Sequence, residues 1–164
     1  MPTELGALSA LSYMFNLYDN LWTGGIPSEL GSIIAMKGYF SLFGAFESSS
    51  STIPTELGRL TNMTSIFDLN GNPFMGQIPT QIGSLSKMIS HFRLYETSVT
   101  GSIPTQLGQL TLMVQYLQLQ NNDLCGDIPT EVTALESNMA YGWPVNSFEG
   151  SLTTGNNLGT DCPT

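Results

Sequence analysis

The tract from Gly101 to Leu110 reads GSIPTQLGQL, and near copies begin at Gly24 (GGIPSELGSI), Ser51 (STIPTELGRL) and Gly76 (GQIPTQIGSL). The prolines of this phrase are Pro2, Pro27, Pro54, Pro79, Pro104 and Pro129, at steps of 25, 27, 25, 25 and 25 residues. Self-similarity at such a period marks a solenoid or a related array. A unit this short cannot enclose a core, so its apolar face must be covered by the units before and after it. The phrase recurs because each copy completes its neighbour.

One full unit, from Ile103 to Asp127, reads IPTQLGQLTLMVQYLQLQNNDLCGD. Leu107, Leu110 and Met113 continue from Ile103 at steps of 4, 3 and 3, one face of a short helical stretch. Thr105, after Pro104, is placed to cap its start through a hydroxyl oxygen. Gly108 keeps the stretch short or 3₁₀-like. Leu117-Gln118-Leu119 then switches to period 2, a strand with one buried face. The other strand pairs are Phe15/Leu17, Phe40/Leu42, Phe67/Leu69 and Phe92/Leu94. A sixth coil is read at Tyr141 and Trp143. Asn20, Asn72, Asn122 and Asn146 fall at the bend after the strand, where a buried amide can bond neighbouring turns as a ladder. Ala45 and Thr97 hold that place in coils two and four, and Ala45 predicts a local weakness. Coil two also carries two extra residues around Glu47–Ser51, read as a solvent-exposed loop.

These residues identify a resemblance. The run Leu117, Leu119, Asn122, Leu124, Gly126, Ile128 and Pro129 resembles the plant-type subclass of extracellular leucine-rich repeats, and the likeness covers about residues 1–152. The resemblance implies an α/β repeat solenoid, a right-handed curved coil with a concave parallel β-sheet and short 3₁₀ segments on the convex side. Six coils at the strand spacing of about 4.8 Å extend roughly 25–30 Å. The family unit has 24 residues, whereas most units here have 25. The extra residue falls at Met14, Tyr39, Ile66, His91 and Tyr116. It is read as a bulge, and the pattern leaves open which member of each Tyr-Phe or Ile-Phe pair faces inward. The expected organisation is an array over 1–152 and an irregular C-terminal tail or cap over 153–164.

Composition excludes several classes of function. Four basic residues against thirteen acidic ones give a net charge of −9, so the basic footprint that nucleic acid requires is missing. An anionic membrane surface would repel the chain, and no apolar run approaches the 18 or so residues of a span. Acidity favours a basic partner, although solubility alone also accounts for it. One histidine, His91, and two cysteines make no zinc spacing. No glycine-rich loop follows a strand and opens a helix. Asp68 and Glu96 lie near one face on adjacent strands, but scattered carboxylates do not make a glycosidase pair. No metal, cofactor or catalytic residue is expected.

Cys125 and Cys162 are either free thiols or a bridge that clips the tail over the last coil. The need of an array for a terminal cap favours the bridge, which implies an oxidising compartment. Asn62-Met63-Thr64 is an N-glycosylation sequon compatible with secretion, although Met63 falls on the apolar grid. Met1 stands where Ile26, Ile53, Ile78, Ile103 and Ile128 stand in the other copies. The chain is therefore expected to begin inside the array, as a fragment or mature piece. Its uncapped first coil exposes part of Met1, Leu5, Leu8, Leu11 and Phe15, with an unpaired strand edge open to self-association.

What remains for function is the outward face of the strands. One column is Asn16, Ser41, Asp68, Arg93, Gln118 and Gly142. The other is Tyr18, Phe43, Asn70, Tyr95, Gln120 and Pro144. They change from coil to coil while the core positions repeat, as a recognition surface does and as unconstrained positions also do. Tyr18, Phe43 and Tyr95 tip the reading toward binding, since aromatic residues are enriched at contact centres. The resemblance implies a non-catalytic extracellular recognition module for a protein, peptide or glycan, as in receptor ectodomains or secreted inhibitors. The alternative is an ice-binding protein using the stacked hydroxyls of Thr3, Ser28, Thr55, Thr80, Thr105 and Thr130.

Overall fold

Each repeat phrase opens on a proline in extended conformation, followed at once by one turn of 3₁₀ helix. A computed structural model describes residues 1–48, 51–138 and 152–163. The 3₁₀ turns span Thr3–Ala7, Ser28–Ser32, Thr55–Arg59, Thr80–Ser84 and Thr105–Gln109. In the sixth coil a short α-helix, Thr130–Thr133, runs into a 3₁₀ turn, Ala134–Asn138. The residue at the N-cap is the proline, fixed near φ −65°, and no side chain caps any of these five turns. The capping role expected of Thr105 is therefore not found: its hydroxyl donates to Gln106 Oε1, as Thr55 donates to Glu56 and Thr80 to Gln81.

The glycine of the phrase explains why the units stack so closely. A Cβ built on Gly31, Gly58 or Gly83 would overlap the backbone carbonyl of Glu56, Gln81 or Gln106 in the next coil. Glycine lets successive turns approach to backbone contact. Leu57, Leu60 and Met63, with their counterparts in coils two, four and five, then fill the interior with essentially no exposure.

Five parallel strands, Met14–Asn16, Tyr39–Ser41, Ile66–Asp68, His91–Arg93 and Leu117–Gln118, form one sheet in chain order. Phe15, Phe40, Phe67 and Phe92 point inward and stack, with ring centroids 5.1, 5.5 and 5.4 Å apart. This settles which member of each pair is buried. It also removes the expected bulge. Met14, Tyr39, Ile66 and His91 pair one to one in register, because every coil carries the same extra residue and no strand has a surplus over its neighbour. The register shift in the molecule lies elsewhere, between Trp22–Thr23 and Phe46–Ser48 in a second, two-stranded sheet. There the longer coil two meets coil one.

Asn72 and Asn122 build the ladder. Asn72 Nδ2 donates to the carbonyls of Leu42 (2.7 Å) and Leu69 (2.8 Å), and Phe46 N donates to Asn72 Oδ1. Asn122 repeats this on Leu94, Leu119 and Thr97 N. Asn72 thus reaches back to the Leu42 carbonyl of the coil that has Ala45. Asn146, Tyr141, Trp143, Gly142 and Pro144 lie outside the described residues. The last described rung is Asn156, which donates to Leu119 O (2.8 Å) and Leu152 O (2.7 Å). Residues expected as an irregular tail hold a strand, Asn157–Leu158, parallel to Asp123–Gly126 and joined through it to Thr100–Ser102. The Cys125–Cys162 disulfide is formed beside that strand, with Cα atoms 5.1 Å apart.

Candidate binding face

Alternation along the strands places Phe and Leu inside and three columns outside. Two are the columns expected from sequence. The third is Met14, Tyr39, Ile66, His91 and Tyr116, the extra residues that sequence reasoning took for a bulge. Met14 is 53% exposed, and the rings of His91 and Tyr116 pack tilted with centroids 4.8 Å apart. Beside this column Tyr13, Met14, Lys37, Tyr39 and Ile66 help line a groove of about 420 Å³. The apolar signal of this column was present in the sequence, but its facing was not.

In the middle column the side chains turn back on their own backbone. Asn16 Oδ1, Ser41 Oγ and Asp68 Oδ1 each accept from the amide two residues on, those of Tyr18, Phe43 and Asn70. Ser41 and Asp68 are buried. Asp68 also receives Arg93 Nη1 at 3.3 Å, so it pairs with Arg93 and not with Glu96. Burial raises the Asp68 carboxyl above its ordinary range, and the Asn70 amide and Arg93 oppose that shift. Gln118 is half-buried at the fifth strand.

The last column carries the aromatic character. Tyr18 is 55% exposed and Phe43 40%. The Phe43 ring leans over Gly71 of the next coil, close enough to touch a Cβ built there. Tyr95 is half-buried, its phenol pushed up by burial and then by the Asp68 charge, so it stays a hydrogen-bond donor at neutral pH. Asn70, between Phe43 and Tyr95, is only 2% exposed and its Oδ1 has no partner. Arg93 Nε and Gln120 Oε1 are likewise buried and unpartnered.

One residue beyond this column the backbone ladder continues. Asp19 N donates to Phe43 O, Gly44 N to Asn70 O, Gly71 N to Tyr95 O and Glu96 N to Gln120 O. This position is left-handed in every one of these coils. Gly44 (φ 54°) and Gly71 (φ 65°) adopt it freely, whereas Asp19 (φ 53°) and Glu96 (φ 52°) hold it with a side chain. Sequence reasoning missed this rim because its left-handed backbone has no signature where the residue is not glycine.

The remaining candidates lie apart. His91 Nδ1 contacts Ser90 Oγ, which donates to Gln115 Oε1. Burial, and then Arg93, hold the His91 pKa below its usual value. Asn62 Nδ2, the atom a glycan would take, donates to Ile34 O, and Lys87 Nζ donates to Asn62 Oδ1. Met63 between the sequon ends is fully buried. In the first coil Leu8 is 46% exposed, but Phe15, expected to show its edge, is buried under Phe40. A hollow of about 540 Å³ lies away from the strand face, beside the Cys125–Cys162 bridge. Among the described residues no helix is long and apolar enough to cross a membrane.

No family model matches the chain, and no curated protein does. Solved structures do. A crystal structure of a TDR receptor aligns with a TM-score of 0.76 and 29% identity over 96% of this chain and 24% of its own. The chain has the leucine-rich-repeat solenoid fold. The Arabidopsis receptor kinase HAESA, in complex with the peptide hormone IDA and the co-receptor SERK1, aligns at 0.70 and 28% identity over 84% of this chain and 22% of its own. The solenoid therefore spans about a quarter of the length of either receptor chain. A plant ice-binding protein shares the fold, at 0.57 and 22% identity over 96% of this chain and 53% of its own.

Proposed function

We propose that this solenoid is a non-catalytic, extracellular recognition module that binds a peptide or protein segment along its strand face. One observation carries the reading. Exposed Tyr18 and Phe43 and half-buried Tyr95 share a column with Asn70, whose buried Oδ1 has no partner. HAESA, a structural neighbour, holds a peptide hormone, which supports a peptide over a glycan. The bridge of Cys125 to Cys162 supports an oxidising, extracellular setting.

The test is selection of a random displayed peptide library on the disulfide-bonded chain. Selected peptides should lose affinity for Phe43→Ala and Tyr95→Ala and keep it for Thr80→Val on the 3₁₀ side. Truncation of a hot-spot aromatic costs more than about 1 kcal/mol of binding. Equal binding by all three variants would move the site off the strand face.

Ice binding is a second reading, favoured by one finding. The hydroxyls from Thr3 to Thr130 are exposed and cap nothing. Each instead donates to the Glu or Gln side chain that follows it, which sets it below peptide recognition. Thermal hysteresis that disappears in Thr80→Val/Thr105→Val would reverse the order.

A further inference from the structure

We propose that the segment bound on the strand face carries a lysine or arginine side chain, held between the Tyr95 ring and the carboxylate of Glu96. The inference rests on the recognition reading above and adds the ligand's charge. Its first ground is an imbalance of donors and acceptors. Among the described residues, the buried acceptors without a partner on this face are Asn70 Oδ1 and Gln120 Oε1. Glu96 stands next in chain to Tyr95, exposed and, among the described residues, in no ion pair. Arg93 is the one cation on the two columns and the rim, and Asp68 already neutralises it.

The second ground is the aromatic setting. A cation placed over a tyrosine face gains attraction from the ring, and Tyr95 carries the Glu96 carboxylate as the next residue in the chain. The third ground is charge over the whole chain. Four basic residues against thirteen acidic ones steer a cationic ligand in and a like-charged one away.

The probe is the same random peptide library, selected on the disulfide-bonded chain, with the peptides resynthesised and titrated by calorimetry. The expected consensus contains Lys or Arg. Replacing that residue by norleucine or citrulline should weaken binding about tenfold or more, as loss of one partner of a desolvated charge pair does. Glu96→Gln should weaken it severalfold. Glu29→Gln removes the same unit of charge from an exposed site on the 3₁₀ side and should leave it unchanged.

A consensus without basic residues that is still lost on Tyr95→Ala would overturn the cationic ligand and leave peptide recognition standing. Equal weakening by Glu29→Gln would reduce the effect to diffuse attraction and overturn the proposal too. Peptides indifferent to both Tyr95→Ala and Tyr18→Ala, with circular dichroism showing folded variants, would sink the recognition reading and this one with it, as would the recovery of no binding peptide.

Discussion

Asn72 donates from one coil to the Leu42 carbonyl of the coil before it, 2.7 Å away, while the same amide nitrogen bonds Leu69 O in its own coil. The side chain is 1% exposed, so no water replaces what is lost when it is removed. Asn72→Ala leaves the Leu69 carbonyl and the Phe46 amide without this partner, while Leu42 O keeps the Ala45 amide. At about 1–3 kcal/mol for each buried group left unsatisfied, the loss should reach roughly 3 kcal/mol or more. Asn20, bonded only within coil one and half-buried, should cost about 1 kcal/mol when replaced, the net worth of an ordinary hydrogen bond. Urea midpoints of Asn72→Ala and Asn20→Ala test the order, and equal shifts would contradict the ladder account.

Gly58→Ala should destabilise the fold although the change adds one methyl and a better helix former. The added Cβ would overlap the carbonyl of Gln81, backbone that cannot turn aside. Overpacking of this kind costs about 1–3 kcal/mol. Gly24→Ala is the contrast, since nothing lies near its Cβ and only its φ of 77° resists. Thermal melts of both variants decide the matter. A Gly58→Ala melt at or above that of the native chain would show that the coils separate freely.

The parts legible in sequence were those that every coil repeats. The Phe15–Phe40–Phe67–Phe92 stack and the Asn72 and Asn122 rungs follow from a pattern in which each copy supports the others. Facing of the extra residue was not legible, because one added residue in every coil keeps the register intact and moves nothing out of line. Asn156 was missed for the opposite reason: the stretch before it breaks the period, and only the Leu119 carbonyl it bonds identifies it. The role of Thr105 was misassigned because Pro104 already fixes the entry to the turn, and the hydroxyl donates to the Gln106 side chain instead. Asp19 and Glu96 carry no marker of the left-handed backbone beneath them.

Reduction of the Cys125–Cys162 bridge should loosen the C-terminal strand first. The loop it closes has a sequence separation of 37, for which chain entropy predicts about 3–4 kcal/mol of stabilisation. Asn157–Leu158 holds to the array by one short parallel pairing and the Asn156 bonds. Hydrogen exchange with and without reductant should therefore show the amides of Gly126 and Gly159, bonded to Thr160 O and Gly126 O, lose protection before those of Leu69 or Leu94. Uniform loss along the chain would mean that the bridge holds the whole array together.

Asp68→Asn should change the dependence of stability on pH in a defined direction. Burial raises the native carboxyl above the value of 3.8 that an unperturbed Asp has, even with the Asn70 amide and Arg93 pulling the other way. The native state then holds the proton more tightly than the unfolded chain. The contribution of Asp68 is fully present below the unfolded value and is lost as pH rises through the raised one. Asparagine keeps an oxygen for the Asn70 amide and does not titrate. The stability of the native chain minus that of Asp68→Asn should thus be greatest below pH ~3.5 and fall toward pH ~7, the other carboxylates cancelling in the difference. Urea unfolding of both proteins at the two pH values measures it. A difference that grows as pH rises would show that the Arg93 ion pair outweighs the cost of burying the charge.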